Sequence, residues 1–154
     1  MNADRHLHFG VGQPVDAPDG TLGRFLVRKT WNTQVVDELT PAAGDLAFYK
    51  HRFSGFFETD LDSTLKGLGV TDLIFTGWTT SVCVESTLRH AMFRDYRCVL
   101  LEDCAAEPIG DDLARTNHDA SLLVVERLFG WVAKSSDLIA AFEGRAVKDE
   151  APVA

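Results

Sequence analysis

The sequence has little positive charge and no long apolar run, and these two deficits exclude several classes of protein. Its 154 residues include 15 Lys and Arg against 23 Asp and Glu, which gives a formal net charge of -8. A basic surface that would bind nucleic acid or anionic lipid is therefore not expected. Every apolar stretch falls short of the roughly 18 residues that a membrane-spanning helix needs. We expect no nucleic-acid partner and no association with a membrane.

Cysteine is also scarce, and its few copies do not suggest a disulfide framework. The three cysteines are an odd set without a Cys-x-x-Cys pair, so we expect reduced thiols and a cytoplasmic location. Residues 1–8 are polar where a signal peptide has its apolar stretch, which argues against export. No metal or cofactor is expected, because no metal-site spacing occurs among the five histidines, which are His6, His8, His51, His90 and His118.

The overall composition is that of one folded domain. Apolar residues make up 45% of the chain and charged residues 25%, both close to the average of soluble globular proteins. Residues 1–24 contain the turn signal Asp19-Gly20 without sustained periodicity, and we predict a loop-like segment there. A regular domain is predicted over residues 25–144, followed by a flexible tail over 145–154.

Short apolar runs alternate with helical patterns along the regular domain. We predict strands near residues 46–50, 72–76, 97–101 and 131–133, and helices over 61–68, 82–96, 111–128 and 135–142. The runs lack the alternation of a half-exposed strand, which indicates a parallel sheet covered by helices, a three-layer α/β/α sandwich. Ligands of such sheets bind beyond the carboxyl ends of the strands, so the loops there are the candidate sites.

Cys83 lies at the start of the helix that follows the second predicted strand. Free N–H groups and the positive end of the helix dipole stabilise a thiolate there, and a thiolate is a nucleophile. The same N–H groups can hold an oxyanion. The alternative is that Cys83 is a small buried apolar residue, as we predict for Cys98 and Cys104.

Lys50 lies at the end of the first predicted strand, where its ammonium can face the same edge and pair with a thiolate. The alternative is a solvated lysine beside His51 and Arg52. Several aromatic side chains can wall a small apolar pocket, although such residues more often belong to the core. We expect Phe53 and Trp78 before the others in the pocket; those others are Phe56, Phe57 and Trp31.

These segments resemble the isochorismatase-like cysteine hydrolases, a family that includes nicotinamidases, N-carbamoylsarcosine amidases, biuret hydrolases and ureidoacrylate amidohydrolases. The resemblance extends from about residue 27 to residue 142. It is most specific, and most similar to the ureidoacrylate and biuret branch, in KHRFSGFF at 50–57, TTSVCVEST at 79–87 and FGWV at 129–132.

The resemblance implies a Rossmann-like sandwich and a particular set of site residues. Cys83 matches the family's nucleophile and Lys50 the lysine of its Asp-Lys-Cys triad. A cis peptide bond is implied between Trp78 and Thr79, and the backbone N–H groups of Thr79 and Cys83 are implied as the oxyanion hole.

Nothing in the chain matches the triad aspartate, which ends the family's first strand. The resemblance therefore implies an N-terminally truncated member that lacks the family's first two strands. Asp103 follows an apolar run, but it resembles an acidic position that is structural in the family.

Two functions follow from this resemblance as expectations. The first is a cysteine-dependent amidohydrolase that cleaves a non-peptide C–N bond of a small amide or ureido compound through a thioester. The second is an impaired or inactive member with only a binding or assembly role. Because a sheet without its middle strands leaves backbone groups unpaired, we also expect a homo-oligomer.

Overall fold

The computed structural model describes residues 12–144, which fall into two compact units that divide between residues 47 and 48. The sequence-based division was placed at residue 24. The described part of the first unit contains the antiparallel strands β1 (Pro14–Asp16) and β2 (Leu22–Arg24). The segment predicted to be loop-like thus contains a short hairpin, whose three-residue strands are too short to show a periodic pattern. Two single 3-10 turns, Trp31–Thr33 and Asp37–Leu39, follow.

The second unit is an α/β structure built on a parallel sheet of three strands flanked by helices. Its strands are β3 (Asp72–Trp78), β4 (Arg97–Ala106) and β5 (Trp131–Ala133), and they lie in the order β3-β4-β5. The register places Leu73 beside Cys98 and Leu100 beside Val132. Three of the four predicted strands and the predicted fold class are therefore confirmed.

Among the described residues one helix precedes these strands and three connect or follow them, and two of the four are joined to a turn of π-helix. They are α1 (Leu61–Gly67), α2 (Glu85–Met92), α3 (Asn117–Val124) and α4 (Ser135–Phe142). A π-turn at Thr80–Val84 precedes α2, and another at Val125–Phe129 follows α3. Helix α3 begins later than predicted because the Thr116 hydroxyl accepts the N–H of Asp119 and caps the helix. None of the helices in residues 12–144 has the length and apolar character needed to cross a membrane.

The predicted strand at residues 46–50 is absent, and this prediction was wrong. All five of its residues are exposed and carry no regular secondary structure. The strands of the described chain form two sheets, β1-β2 and β3-β4-β5, and the run belongs to neither. A strand needs a hydrogen-bonded neighbour, and the composition of the run cannot replace one. Lys50 therefore does not end a strand.

The core of the second unit lies between α2, β4 and the helical turns beside them. Leu88, Leu100 and Val125 are fully buried, and Phe56 joins the same cluster from outside the regular elements. Gly130 is required at the start of β5, because an added Cβ would collide with the carbonyl oxygen of Cys98. This core supports the π-turn that follows β3.

Candidate active site

Cys83 lies in the π-turn Thr80–Val84, directly after β3, and its side chain is partly exposed. The Thr79 carbonyl oxygen accepts the N–H groups of Val82 and Val84 at 3.2 and 3.1 Å. These hydrogen bonds close the turn and fix where Cys83 lies. A partly exposed thiol at the start of a helical segment is accessible to a small molecule.

Two side chains from other elements hold this turn in place. The Thr80 hydroxyl is fully buried and lies 3.0 Å from Nδ1 of His118 on α3. The N–H of Ser81 donates to Glu107 at 2.7 Å. Desolvation raises the pKa of Glu107, but hydrogen bonds from Ser81 and Ile109 outweigh it, and the net shift is downward. The carboxylate therefore remains charged and accepts the hydrogen bond from Ser81 that holds the turn.

Lys50 is brought to Cys83 although no strand carries it. Its Nζ lies 3.4 Å from the Cys83 sulfur and donates to the carbonyl oxygen of Arg52 at 3.2 Å. Lys50 itself is exposed, as are the residues on its N-terminal side. The contact places a positive charge beside the sulfur of Cys83.

The peptide bond between Trp78 and Thr79 is cis, at the position that the resemblance implies. No acceptor for the Thr79 N–H is found among the described residues. This donor lies four residues before Cys83, on the same turn. An N–H without an internal partner can hydrogen-bond an anionic oxygen that develops beside the sulfur.

Three of the predicted pocket aromatics lie in this unit and have exposed side chains. Phe53 is 40% exposed, Phe57 is 39% and Trp78 is 69%, so the described residues do not enclose a pocket around them. Phe57 contacts His51 edge to face with ring centroids 5.9 Å apart. Phe56 is only 4% exposed and belongs to the core, as the alternative reading of the aromatics had it.

Trp31, the remaining pocket candidate, belongs to the first unit. Its indole Nε1 would lie 3.3 Å from a Cβ added at Gly23, so the ring lies close against β2.

An open cleft of the second unit is lined mainly by the second π-turn and the strands near it, and shares no residue with the predicted pocket. Its lining includes Met92, Tyr96, Phe129 and Trp131.

The acidic residues in the described part of the chain do not supply a third member of the site. Asp103 accepts the Ser135 N–H at 2.8 Å and the Ser135 hydroxyl at 2.6 Å, and these bonds lower the pKa of Asp103. It thus caps α4, in agreement with a structural role. Within residues 12–144 no carboxylate forms an ion pair with Lys50. The same residues contain no group of three His, Cys, Asp or Glu side chains that would hold a metal ion.

The other two cysteines differ from each other. Cys98 is 1% exposed, and burial raises its pKa to about 11, as expected of a core residue. Cys104 is exposed, so the prediction that it is buried was wrong. Strand β4 continues to Ala106, but its pairing with β5 ends at Leu101. Cys104 therefore lies beyond the covered part of the sheet.

One residue that sequence reasoning missed connects the turn Thr80–Val84, which carries Cys83, to the lysine segment, residues 48–57. The Thr87 hydroxyl on α2 donates to the carbonyl oxygen of Cys83 at 2.6 Å and accepts the N–H of Gly55 at 3.0 Å. The available signal was its spacing, since a residue four positions after Cys83 lies on the same side of a helix. The contact to Gly55, 32 residues away, had no signal in the sequence.

Comparison with known proteins finds a family match over most of the chain. The family model described as the isochorismatase domain matches residues 8–137. Ureidoacrylate amidohydrolase RutB of Yersinia enterocolitica is 48% identical over 112 residues, which are 73% of this chain and 47% of that protein. The protein of the same name from Caulobacter vibrioides is 42% identical over 120 residues, or 78% of this chain and 52% of the relative.

Solved structures give the same picture for the fold. An isochorismatase-like hydrolase from Alkaliphilus metalliredigens has a TM-score of 0.70 at 31% identity, and the match covers 77% of this chain and 62% of that one. N-carbamoylsarcosine amidase from Thermoplasma acidophilum has a TM-score of 0.64 at 30% identity, with 73% and 61% covered. The chain spans about half the length of the curated relatives that it matches.

Proposed function

Because this chain belongs to the isochorismatase family, we propose that it is a cysteine-dependent hydrolase of a non-peptide C–N bond. The observation that carries the proposal is the 3.4 Å contact between the Lys50 ammonium and the Cys83 sulfur, next to the turn that follows Trp78 and Thr79. A thiol paired with a cation and flanked by a free N–H has the parts needed for acyl transfer.

The proposed reaction proceeds in two steps. The Cys83 thiolate attacks the carbonyl carbon of an amide or ureido group, and the resulting oxyanion accepts hydrogen bonds from the N–H groups of Thr79 and Cys83. The C–N bond then breaks, the nitrogen leaves as ammonia or an amine after taking up a proton from water, and a thioester remains, which is an S-carbamoyl thioester when the carbonyl is that of a ureido group. Water attacks the thioester, which releases the acid and restores the thiol. Lys50 stabilises the thiolate and orients it.

The substrate class is a small amide or ureido compound. The names of the relatives support it, because one pair are ureidoacrylate amidohydrolases and another relative is an N-carbamoylsarcosine amidase. We propose Phe53, Phe57 and Trp78 as the aromatic surface against which this substrate packs. Neither a metal nor a cofactor takes part in the proposed reaction.

The proposal is tested by measuring ammonia release from small ureido and amide compounds, with ureidoacrylate among them. We expect release that is abolished in C83A and strongly reduced in K50M. The matched control is C104A, which removes an exposed thiol elsewhere on the unit and should leave the rate unchanged. Release that is the same in C83A as in the unaltered chain would contradict the proposal.

A second candidate is an impaired or inactive member with a binding or assembly role. The observation that favours it is that none of the carboxylates in residues 12–144 pairs with Lys50. Positioned acid-base groups contribute typically ~10²–10⁴ to a rate, so hydrolysis without such a group is slower by about that factor. A chain that forms the Cys83 thioester, seen as a mass increase, but releases product very slowly would favour this candidate.

We also propose that the chain assembles with a second copy in the cytoplasm. The support for assembly is the free edge of β3, which pairs with β4 alone among the described strands; Ile74 and Trp78 on it are 46% and 69% exposed. Such an edge is a template for another strand. Light scattering during gel filtration should give twice the 17.0 kDa mass of the chain, and a monomer would contradict the proposal. The proposed cytoplasmic location is supported by the three free thiols, which fit a reducing compartment.

A further inference from the structure

The hydroxyl group of Thr87 links the two halves of the site. Its oxygen donates to the Cys83 carbonyl at 2.6 Å and accepts the Gly55 N–H at 3.0 Å. Gly55 lies five residues after Lys50 in the chain. One side chain of α2 therefore connects the turn that carries Cys83 to the segment that carries Lys50.

The buried part of the lysine segment lies on the C-terminal side of Lys50. Lys50 and the residues before it are exposed and irregular, and its Nζ contacts only the Cys83 sulfur and the Arg52 carbonyl oxygen among the described hydrogen-bonding groups. The nearest buried residues are Ser54, 5% exposed, and Phe56, 4% exposed. These two residues flank Gly55, so the firm end of the segment is the part that Thr87 holds.

We propose that Thr87 is a positioning residue that sets the distance between the Lys50 ammonium and the Cys83 sulfur. This role rests on the proposed function, in which Lys50 stabilises the Cys83 thiolate. A threonine hydroxyl fits the position because it donates one hydrogen bond and accepts another at once. A valine of the same shape can do neither, whereas a serine can do both.

Close packing at the same point supports the proposal. A Cβ added at Gly55 would lie 3.3 Å from the Thr87 methyl carbon and 3.3 Å from Leu61 Cδ2. The Thr87 methyl group therefore lies tightly against the Gly55 backbone. Contact through both the hydroxyl and the methyl group fixes the Gly55 backbone relative to α2 more firmly than a hydrogen bond between two exposed groups.

The test is a double-mutant cycle read by the rate at which iodoacetamide alkylates Cys83. The variants are T87V, T87S, K50M and the double variant T87V/K50M, all in the full chain. Cys83 is the only cysteine of the tryptic peptide that covers residues 67–89, whereas Cys98 and Cys104 share the peptide 98–115. Peptide mass mapping thus follows Cys83 separately without turnover, so the readout does not depend on any substrate.

We expect T87V and K50M each to slow alkylation of Cys83 roughly tenfold, within the range of coupling that contacting residues show. T87S should react at nearly the rate of the unaltered chain. The double variant should be hardly slower than either single variant, because both changes remove the same interaction. A purely structural role would instead give effects that multiply, or a loss that serine does not restore.

The outcomes separate this inference from the proposed function. Multiplying effects, or a T87V rate equal to that of the unaltered chain, would overturn the role of Thr87 alone. A K50M rate equal to that of the unaltered chain would overturn both the positioning role of Thr87 and the role of Lys50. If the double-mutant cycle gives the expected rates but no ammonia is released, the proposed hydrolysis is contradicted and the positioning role of Thr87 is still supported. If T87V lacks a cooperative melt, T87A replaces it in the same cycle with the same criteria.

Discussion

The two residues that meet in the candidate site come from regions of opposite character. Cys83 lies in a turn that is closed by its own backbone and held by a fully buried threonine, Thr80, and by the charged carboxylate of Glu107. Lys50 lies in an exposed segment without strand or helix. The turn that carries Cys83 is therefore part of the packed core, whereas the segment that carries Lys50 lies exposed beside it.

This difference indicates how the site is specified. The position of Cys83 follows from the burial of residues on β4, α2 and the turn Thr80–Val84, which is cooperative and involves many residues. The position of Lys50 depends on a few polar contacts at Gly55, Arg52 and Cys83. Single substitutions in the core around Cys83 should therefore lower the free energy of unfolding strongly. Substitutions of exposed residues near Lys50 should lower it only slightly.

The largest contrast is expected between apolar truncations on the two sides. Leu88 is fully buried against β4, and L88A should lower the free energy of unfolding by about 2–5 kcal/mol, because it leaves a cavity. Phe48 is 38% exposed in the lysine segment, and F48A should cost less than about 1 kcal/mol. Urea unfolding followed by circular dichroism measures both values, and equal losses would remove the contrast.

A smaller effect is expected from the polar contacts that hold the cysteine turn. T80V removes the hydroxyl that lies 3.0 Å from His118 Nδ1 and leaves a partly buried ring nitrogen without its partner. We expect a loss of about 1–3 kcal/mol, with T80S as the matched control that keeps the hydroxyl. If T80V and T80S unfold at the same urea concentration, the hydrogen bond does not support the turn.

The thiols should report the same contrast through their pH dependence. Burial raises the pKa of Cys98 to about 11 and so disfavours its thiolate. In the folded chain Cys98 should therefore resist iodoacetamide from pH 7 to 9, while Cys83 is labelled and reacts faster than Cys104. Labelling of all three at one rate in folded protein would mean that neither burial nor Lys50 governs these thiols. The unfolded chain in urea serves as the control, since all three should then react.

The smallest effect concerns an exposed ion pair on the sheet. Hydrogen bonds from Arg97, at 2.6 Å to each oxygen, lower the pKa of Asp72 to about 2 from its usual 3.8. Because the folded pKa is the lower one, the contribution to stability is present above pH 3.8 and is lost as the pH falls towards 2. D72N should lower the melting temperature slightly at pH 7 and not at pH 2. A decrease of equal size at both pH values would exclude this linkage.

The contrast also explains what the sequence could and could not predict. Strands β3, β4 and β5 were predicted because each is an apolar run that pairs with another such run of the chain. The run at residues 46–49 has the same composition, yet it forms no strand, because strand formation requires a neighbour that composition does not encode. Cys83 was predicted to begin a helix, and it lies in the π-turn that leads into one.

The supports of the site were harder to predict than its central residues. Thr80, Thr87 and Glu107 act through partners that lie between 26 and 38 residues away in the chain. No local pattern distinguishes such a threonine from any other in a helix. Cys104 was misjudged for a related reason, since its exposure depends on where β5 stops pairing with β4.

The central claim is that the Lys50 ammonium acts on the Cys83 sulfur, and the rate of Cys83 alkylation tests it most directly. K50M removes the charge at 3.4 Å from the sulfur, whereas K66M removes a lysine that pairs with Asp62 on α1 and so controls for net charge. We predict that K50M reacts roughly tenfold more slowly at pH 7 and that K66M reacts at the rate of the unaltered chain. Equal rates for all three proteins, or the same decrease in both variants, would contradict the account.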